Sequence, residues 1–366
     1  MPNKSEPKLL FVTNLPAPYR FPIWDALSKE FSLNVAFTLG EKNWRNWNPP
    51  HKTSWTFEFL SLPFIRVREY ELILSSPRVK NILKGVDAII VGSWETPVYI
   101  HLILLSRKLK IPLIMIYESH ADSQLFKKGL VDILRSWLFR KADLIVTFGS
   151  ASTRAVKEMG VEQAKIFELF NACDTEFFHV FANANRKVPS KGHKFLYVGQ
   201  IIERKNIVSL IKAFSYVHDE SDSLLIVGNG VELKNLKNLT REVGCSEKIS
   251  FLDHKKPHEL REIYSSCHTL ILPSTNEVWG LVVNEALTCG MHVVVSRACG
   301  VSELISNMRG SYLCSPDEVS IGEAMKMSKS DWRGHIPEPE ILKYSPTAFA
   351  ERITVKLKSL LPQKII

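Results

Sequence analysis

Along the whole chain, short apolar runs of strand character alternate with helix-patterned segments, and nothing else in the sequence narrows its folding options as far. Strand runs read at residues 9–13, 33–37, 88–91, 113–117, 144–147 and 165–169, with helical patterns at 21–31, 97–109 and 128–141 among them. The rhythm restarts after residue 193, with runs at 194–198, 224–227, 249–252, 269–272, 292–295 and 311–314. These runs are apolar almost without a break, as parallel strands covered on both faces require. The sequence therefore predicts an α/β protein with a parallel sheet in each half.

The chain has 366 residues; at roughly 150 residues per domain, about two domains are expected. Residues 182–192, which include Arg186, Lys187, Pro189 and Lys191, are polar and read as a linker. Domains are thus expected at 1–181 and 193–345. Residues 346–366 open with Pro346 and carry Phe349, Ile353 and Leu357 at helical spacing. That helix either caps the second domain or packs back on the first.

A content of 45% hydrophobic and 23% charged residues excludes compositional disorder. Cys173, Cys245, Cys267, Cys289, Cys299 and Cys314 show no C-x-x-C spacing. They read as reduced core thiols of a cytoplasmic protein, not as a zinc or redox site. Residues 1–8 are polar and no secretory signal is expected. The apolar stretch 98–105 is interrupted by His101 and is too short for a membrane span of roughly 20 residues. The net charge of +9 is spread evenly, without a basic stripe interleaved with aromatics, so no nucleic-acid partner is expected. An anionic small substrate or an anionic membrane surface fits this charge better.

The densest motif is Pro273-Ser274-Thr275-Asn276-Glu277, continuing through Gly280-Leu281-Val282-Val283-Asn284-Glu285-Ala286. It follows a buried strand and opens a helix. Free amides at Gly280 to Val283 would make that helix start a phosphate site. Carboxylates beside it accept hydrogen bonds from sugar or ribose hydroxyls. Taken alone, Glu277 and Glu285 would be ordinary charges near a helix start; the strand-loop-helix context favours a ligand role.

This Glu-x7-Glu segment resembles the retaining glycosyltransferases of family 4, of the GT-B fold. Other motifs agree in order: Asn171-Ala172-Cys173-Asp174 with Phe177-Phe178, Tyr197-Val198-Gly199 with Lys205, Val227-Gly228-Asn229-Gly230, and Gly300-Val301-Ser302-Glu303. The resemblance implies two Rossmann-like domains facing across a cleft, the second binding a nucleoside-diphosphate sugar. It places Glu277 on the donor sugar, Glu285 on the ribose, and Lys205 on the diphosphate. Gly199, Gln200, Arg204, Gly228, Asn229, Gly280, Leu281 and Val282 complete the donor side. Gln200 stands where the family usually has an arginine, so either Arg204 substitutes or one cation and helix amides hold the diphosphate. No D-x-D occurs in the chain. Metal-independent hexosyl transfer with retention, needing no cofactor, is therefore expected, onto a glycan or a lipid-linked saccharide. A non-catalytic nucleotide-sugar-binding protein or scaffold, and a GT-B epimerase, are the alternatives.

In the first half, the run 113–117 delivers Glu118 and His120 to a strand end, where the resemblance expects one group near the donor sugar. Pro18 and Tyr19 lie in the loop after the first strand, on the acceptor side. Trp44, Trp47, Trp55, Phe57, Phe59 and Phe64 crowd one segment, either to stack on sugars or as a satellite apolar cluster. Residues 126–141 form a basic amphipathic helix, either lying on an anionic membrane or packing as an ordinary domain helix.

Overall fold

The computed structural model describes residues 6–41, 49–50, 52–67, 70–119, 129–185 and 192–361. The chain divides into two compact units, 1–170 together with 346–366, and 171–345.

Unit 1 contains β1 (Lys8–Thr13), α1 (Phe21–Leu27), β2 (Ser32–Phe37), β3 (Thr56–Phe59), β4 (Phe64–Val67), β5 (Tyr70–Ile73) and β6 (Ala88–Val91). It continues with α2 (Pro97–Lys108), β7 (Leu113–Tyr117), α3 (Leu130–Phe139), β8 (Leu144–Phe148), α4 (Gly149–Glu158) and β9 (Ile166–Leu169). Seven strands form a parallel sheet in the order β3-β2-β1-β6-β7-β8-β9, while β4 and β5 pair as a separate antiparallel hairpin. All residues of β6, β7 and β8 are buried, as strands covered on both faces require. The aromatic segment supplies the sheet edge. Trp55 packs edge-on against Trp24 with ring centroids 5.0 Å apart, and its indole N–H donates to Asp25 Oδ1 (3.0 Å). Phe57 and Phe59 extend the cluster along β3 to Phe37. These three rings therefore serve packing; Trp44 and Trp47 lie outside the described residues.

Unit 2 contains α5 (Thr175–Ala184), β10 (Lys194–Val198), α6 (Ile207–Val217), β11 (Ser223–Val227), α7 (Leu233–Glu242), β12 (Ile249–Leu252) and α8 (Pro257–Ser266). β13 (Thr269–Leu272), α9 (Leu281–Thr288), β14 (His292–Ser296), α10 (Ser302–Ile305), β15 (Ser311–Cys314) and α11 (Glu318–Asp331) follow. Its six strands run parallel in the order β12-β11-β10-β13-β14-β15. At the amino ends of the central strands, the rings of His193, His268, His292 and His335 surround Trp332 at centroid distances of 4.8 to 5.8 Å. Burial, then the neighbouring His268, hold His193 down to about 3; burial and His335 hold His268 down to about 4.

The units part between Phe170 and Asn171, ahead of the 182–192 stretch read as a linker. The reason is the apolar face of α5, which packs on α8 and α9. The Arg261 guanidinium lies 4.6 and 4.2 Å from the Phe177 and Phe181 ring centroids, and Phe178 meets Tyr264 edge-on. The final helix, α12 (Pro346–Leu360), belongs to unit 1. It packs on α1, with Phe349 stacked on Phe148 and edge-on to Phe170.

Candidate functional site

In unit 2 the winding reverses between β10 and β13. β10 leads outward to β11 and β12 on one side, and β13 to β14 and β15 on the other. The carboxyl ends of such a pair open a crevice in doubly wound sheets. The loop after β10 carries Gly199, Gln200, Arg204 and Lys205; the loop after β13 carries Glu277.

Backbone contacts fix both loops. The Gly199 amide donates to Val227 O (3.0 Å) and the Ile201 amide to Asn229 O (2.8 Å), joining the β10 loop to the β11 loop. A Cβ on Gly228 would stand 1.8 Å from the Gly199 carbonyl oxygen, so that approach requires glycine. Gln200 accepts the Tyr197 hydroxyl at its carbonyl (2.8 Å) and leaves its side chain exposed. Asn206, at φ 56°, starts α6 and donates through Nδ2 to Pro273 O (3.1 Å) and Pro316 O (2.6 Å). The Thr275 amide donates to Arg204 O (2.9 Å). Residues 204–206 are thereby held against residues 273–275.

The result is a charged centre. The buried Lys205 ammonium pairs with Glu277 Oε2. Arg204, half-exposed, donates from the same guanidinium nitrogen to Asn276 O (3.1 Å) and to Glu277 Oε2 (3.3 Å). From behind, the Glu277 carbonyl accepts the Gly300 amide (3.0 Å) and the Glu277 amide donates to Ala298 O (3.3 Å). The stretch 300–303 thus braces the Glu277 loop.

Gly280 is the N-cap of α9 at φ 101°, a conformation glycine adopts without strain. The sequence expectation of free amides through Val283 needs correction, because the Val283 amide donates to Gly280 O (2.9 Å). Among the described residues, the amides of Leu281 and Val282 find no backbone acceptor. One turn on, Glu285 Oε2 accepts the Tyr264 hydroxyl (2.7 Å). Burial pushes the Glu285 carboxyl up to about 7, against the Tyr264 hydrogen bond, which favours the carboxylate. Trp279 Nε1 donates to Asn284 Oδ1 (3.0 Å), and Asn284 Nδ2 to Asn171 O (3.0 Å). This buried chain fixes the helix start against the segment that opens the unit. Tyr264 and Asn206 were not singled out in the sequence; their partners lie 21 and 67 positions away, beyond any local pattern.

In unit 1, Pro18, Tyr19 and Arg20 form a single 3-10 turn after β1. Arg20 pairs with Glu118 at the end of β7 and lies 5.6 Å from the Tyr19 ring centroid. Burial would ease the Arg20 proton off, but Glu118 and Tyr19 more than offset it and hold the guanidinium's pKa above its ordinary value. Asn14 Oδ1 accepts from Tyr99 (2.7 Å) and Thr38 (3.1 Å), anchoring the same turn. The turn after β1 and Glu118 are thus brought together. His120 lies outside the described residues.

Two parallel-sheet Rossmann-like units in this order define the fold of the GT-B glycosyltransferases. Solved structures share it: Alr3699/HepE of Anabaena in complex with UDP has a TM-score of 0.71 at 15% identity, covering 96% of this chain and 97% of that one. A glycosyltransferase from Rickettsia africae has 0.73 at 12%, covering 98% and 100%. Residues 181–329 match the family model described as glycosyl transferases group 1. Glycogen synthase of Mycobacterium tuberculosis is 26% identical over 193 residues, 52% of this chain and 46% of that protein. The O-antigen chain mannosyltransferase RfbU of Salmonella typhimurium is 26% identical over 162 residues, 44% and 43% respectively. The chain spans less than half the length of these curated relatives. The family-model match lies wholly within unit 2, the unit that carries Lys205, Glu277 and Glu285.

Proposed function

We propose that this protein transfers a hexose from a nucleoside-diphosphate sugar to a hydroxyl of a glycan or lipid-linked saccharide, with retention and without a metal. The observation that carries this reading is the convergence of Lys205, Arg204 and Glu277 at the switch point of unit 2, with Gly280, Leu281 and Val282 opening the helix that bears Glu285. In the transfer, the bond from the anomeric carbon to the β-phosphate oxygen breaks and a bond to the acceptor oxygen forms. The acceptor's proton leaves with the diphosphate or to water. Negative charge grows on the departing diphosphate, where Lys205, Arg204 and the amides of Leu281 and Val282 stabilise it electrostatically. Glu277 lies beside the same cations and accepts from sugar hydroxyls, while Glu285 accepts from the ribose. Gly199, Gln200, Gly228 and Asn229 line the diphosphate side. Glu118, paired with Arg20, acts on the donor sugar, and the Pro18–Tyr19 turn serves the acceptor side. The absence of D-x-D supports metal independence.

The test is incubation with a panel of nucleotide-sugars, UDP-sugars first because UDP is named in the structure of Alr3699/HepE. Nucleotide release that needs an added acceptor, survives EDTA and gives a product of unchanged anomeric configuration is expected. Tight nucleotide-sugar binding without turnover across acceptors would favour the non-catalytic binder.

A further inference from the structure

Helix α3 is turned inside out. Leu130, Ile133, Leu134 and Trp137 fall at i, i+3, i+4 and i+7, the stripe with which a domain helix meets its core. Here that stripe faces outward: Leu130 is 85% exposed, Ile133 64% and Trp137 41%, with Val131 and Leu134 exposed beside them. The inward side instead buries Arg135 with Leu138 and Phe139. Arg135 pairs with Asp132 and lies 5.7 Å from the Trp94 ring centroid. A buried arginine is expensive unless paired; its partners hold α3 in this orientation.

The charges around the stripe are cationic. The Lys141 ammonium sits 4.0 Å from the Trp137 ring centroid, and Arg140 follows the helix directly. Asp143, the next acidic residue, is taken by Arg107 at the end of α2 (2.6 Å), where Lys108 and Lys110 are also exposed. Asp132 is taken by Arg135. A ten-residue helix face about 15 Å long and about 10 Å wide offers on the order of 150 Å², far short of the roughly 800 Å² per partner that a stable protein interface buries. Exposed aliphatic residues, a half-exposed tryptophan and an adjoining lysine match the boundary between acyl chains and anionic headgroups.

We propose that the outward face of α3 docks unit 1 on an anionic membrane surface, with Leu130, Ile133, Leu134 and Trp137 entering the headgroup boundary and Lys141 and Arg140 meeting its phosphates. This goes beyond the transfer reaction, and its test needs neither donor nor turnover. The full chain is sedimented with vesicles of phosphatidylcholine alone and of phosphatidylcholine mixed with phosphatidylglycerol. Pelleting with the mixed vesicles only is expected, weakening as salt rises from about 0.1 M to about 1 M. Ile133→Ser combined with Trp137→Ser should lower partitioning about tenfold or more, and Lys141→Gln about fivefold. Ile133→Ser alone, at a side chain 64% exposed, should keep the melting temperature and still weaken pelleting. Equal pelleting of variants and parent, or equal binding to neutral vesicles, would overturn the proposal. So would a dimer in sedimentation velocity that the double variant dissolves, because the face would then be a protein interface.

Discussion

Replacing Glu285 with glutamine should make unit 2 more stable and less able to hold a nucleotide. Burial raises the carboxyl from 4.5 to about 7, so the folded state binds this proton more tightly than the unfolded chain does. Below about pH 4.5 the group is protonated in both states and costs nothing. As pH rises to 7 the unfolded chain ionises first, and stability falls by about 3 kcal/mol, reaching its full loss above pH 7. Glutamine keeps an acceptor for the Tyr264 hydroxyl and does not ionise, so the loss disappears. For a unit of this size that is a rise of about 6–12 °C in melting temperature at pH 8, shrinking toward pH 5. The ribose hydrogen bonds we propose for this carboxylate would be worth roughly 1.5–3 kcal/mol, so nucleoside-diphosphate affinity should drop by about one to two orders of magnitude. Calorimetric unfolding between pH 5 and 8, with and without nucleotide, reads both effects. Parallel pH profiles for parent and variant would refute the stability reasoning; unchanged nucleotide affinity would refute the ribose role.

Removing the Tyr264 hydroxyl, as in Tyr264→Phe, withdraws a bond that favours the carboxylate. The pH at which nucleotide affinity sets in should therefore move upward, visible in binding titrations across pH. Glu277→Ala should cut turnover roughly 100-fold and leave free nucleoside-diphosphate affinity nearly unchanged, whereas Lys205→Ala should weaken both; equal losses from the two variants would erase the division of labour. Gly228→Ala should lower the urea midpoint markedly, because its new methyl would meet the Gly199 carbonyl oxygen at 1.8 Å; a normal midpoint would show that the loops can part freely. His193 and His268, held down to about 3 and about 4, keep unit 2 stable above the unfolded histidine value of about 6.5, and that stability drains away as pH falls toward 4. His268→Gln should flatten the acid limb of the melting curve.

Much of the architecture was legible because buried parallel strands write themselves as unbroken apolar runs. β7 and β14 are buried at every position and were read at essentially their full length. β3 and the β4–β5 hairpin were not. β3 is an edge strand whose Thr56, Phe57 and Glu58 are exposed, and an exposed edge leaves no such run. Periodicity also found the apolar stripe of α3 but could not say which way it points, because that is decided by Arg135 and its partners Asp132 and Trp94. At the candidate site, Glu277, Lys205 and Glu285 stood out through motif order. That Glu277 and Lys205 would pair with each other did not, since 72 residues separate them. The pairing of Arg20 with Glu118 spans 98 residues and was equally hidden.

Unit 2 is inserted within unit 1, since the chain leaves unit 1 after Phe170 and returns to it at Pro346. On the ribosome, the seven-stranded sheet therefore emerges complete but without α12, the helix that covers Phe148 and Phe170. All 175 residues of the inserted unit must be made before that cover arrives. The early sheet waits with an aromatic face bare, a surface that chaperones favour. The inserted unit has no such wait, because its segment is continuous. Dissection should follow the same logic: residues 171–345 can be expressed as they stand, whereas unit 1 needs residues 346–360 joined back to it by a linker.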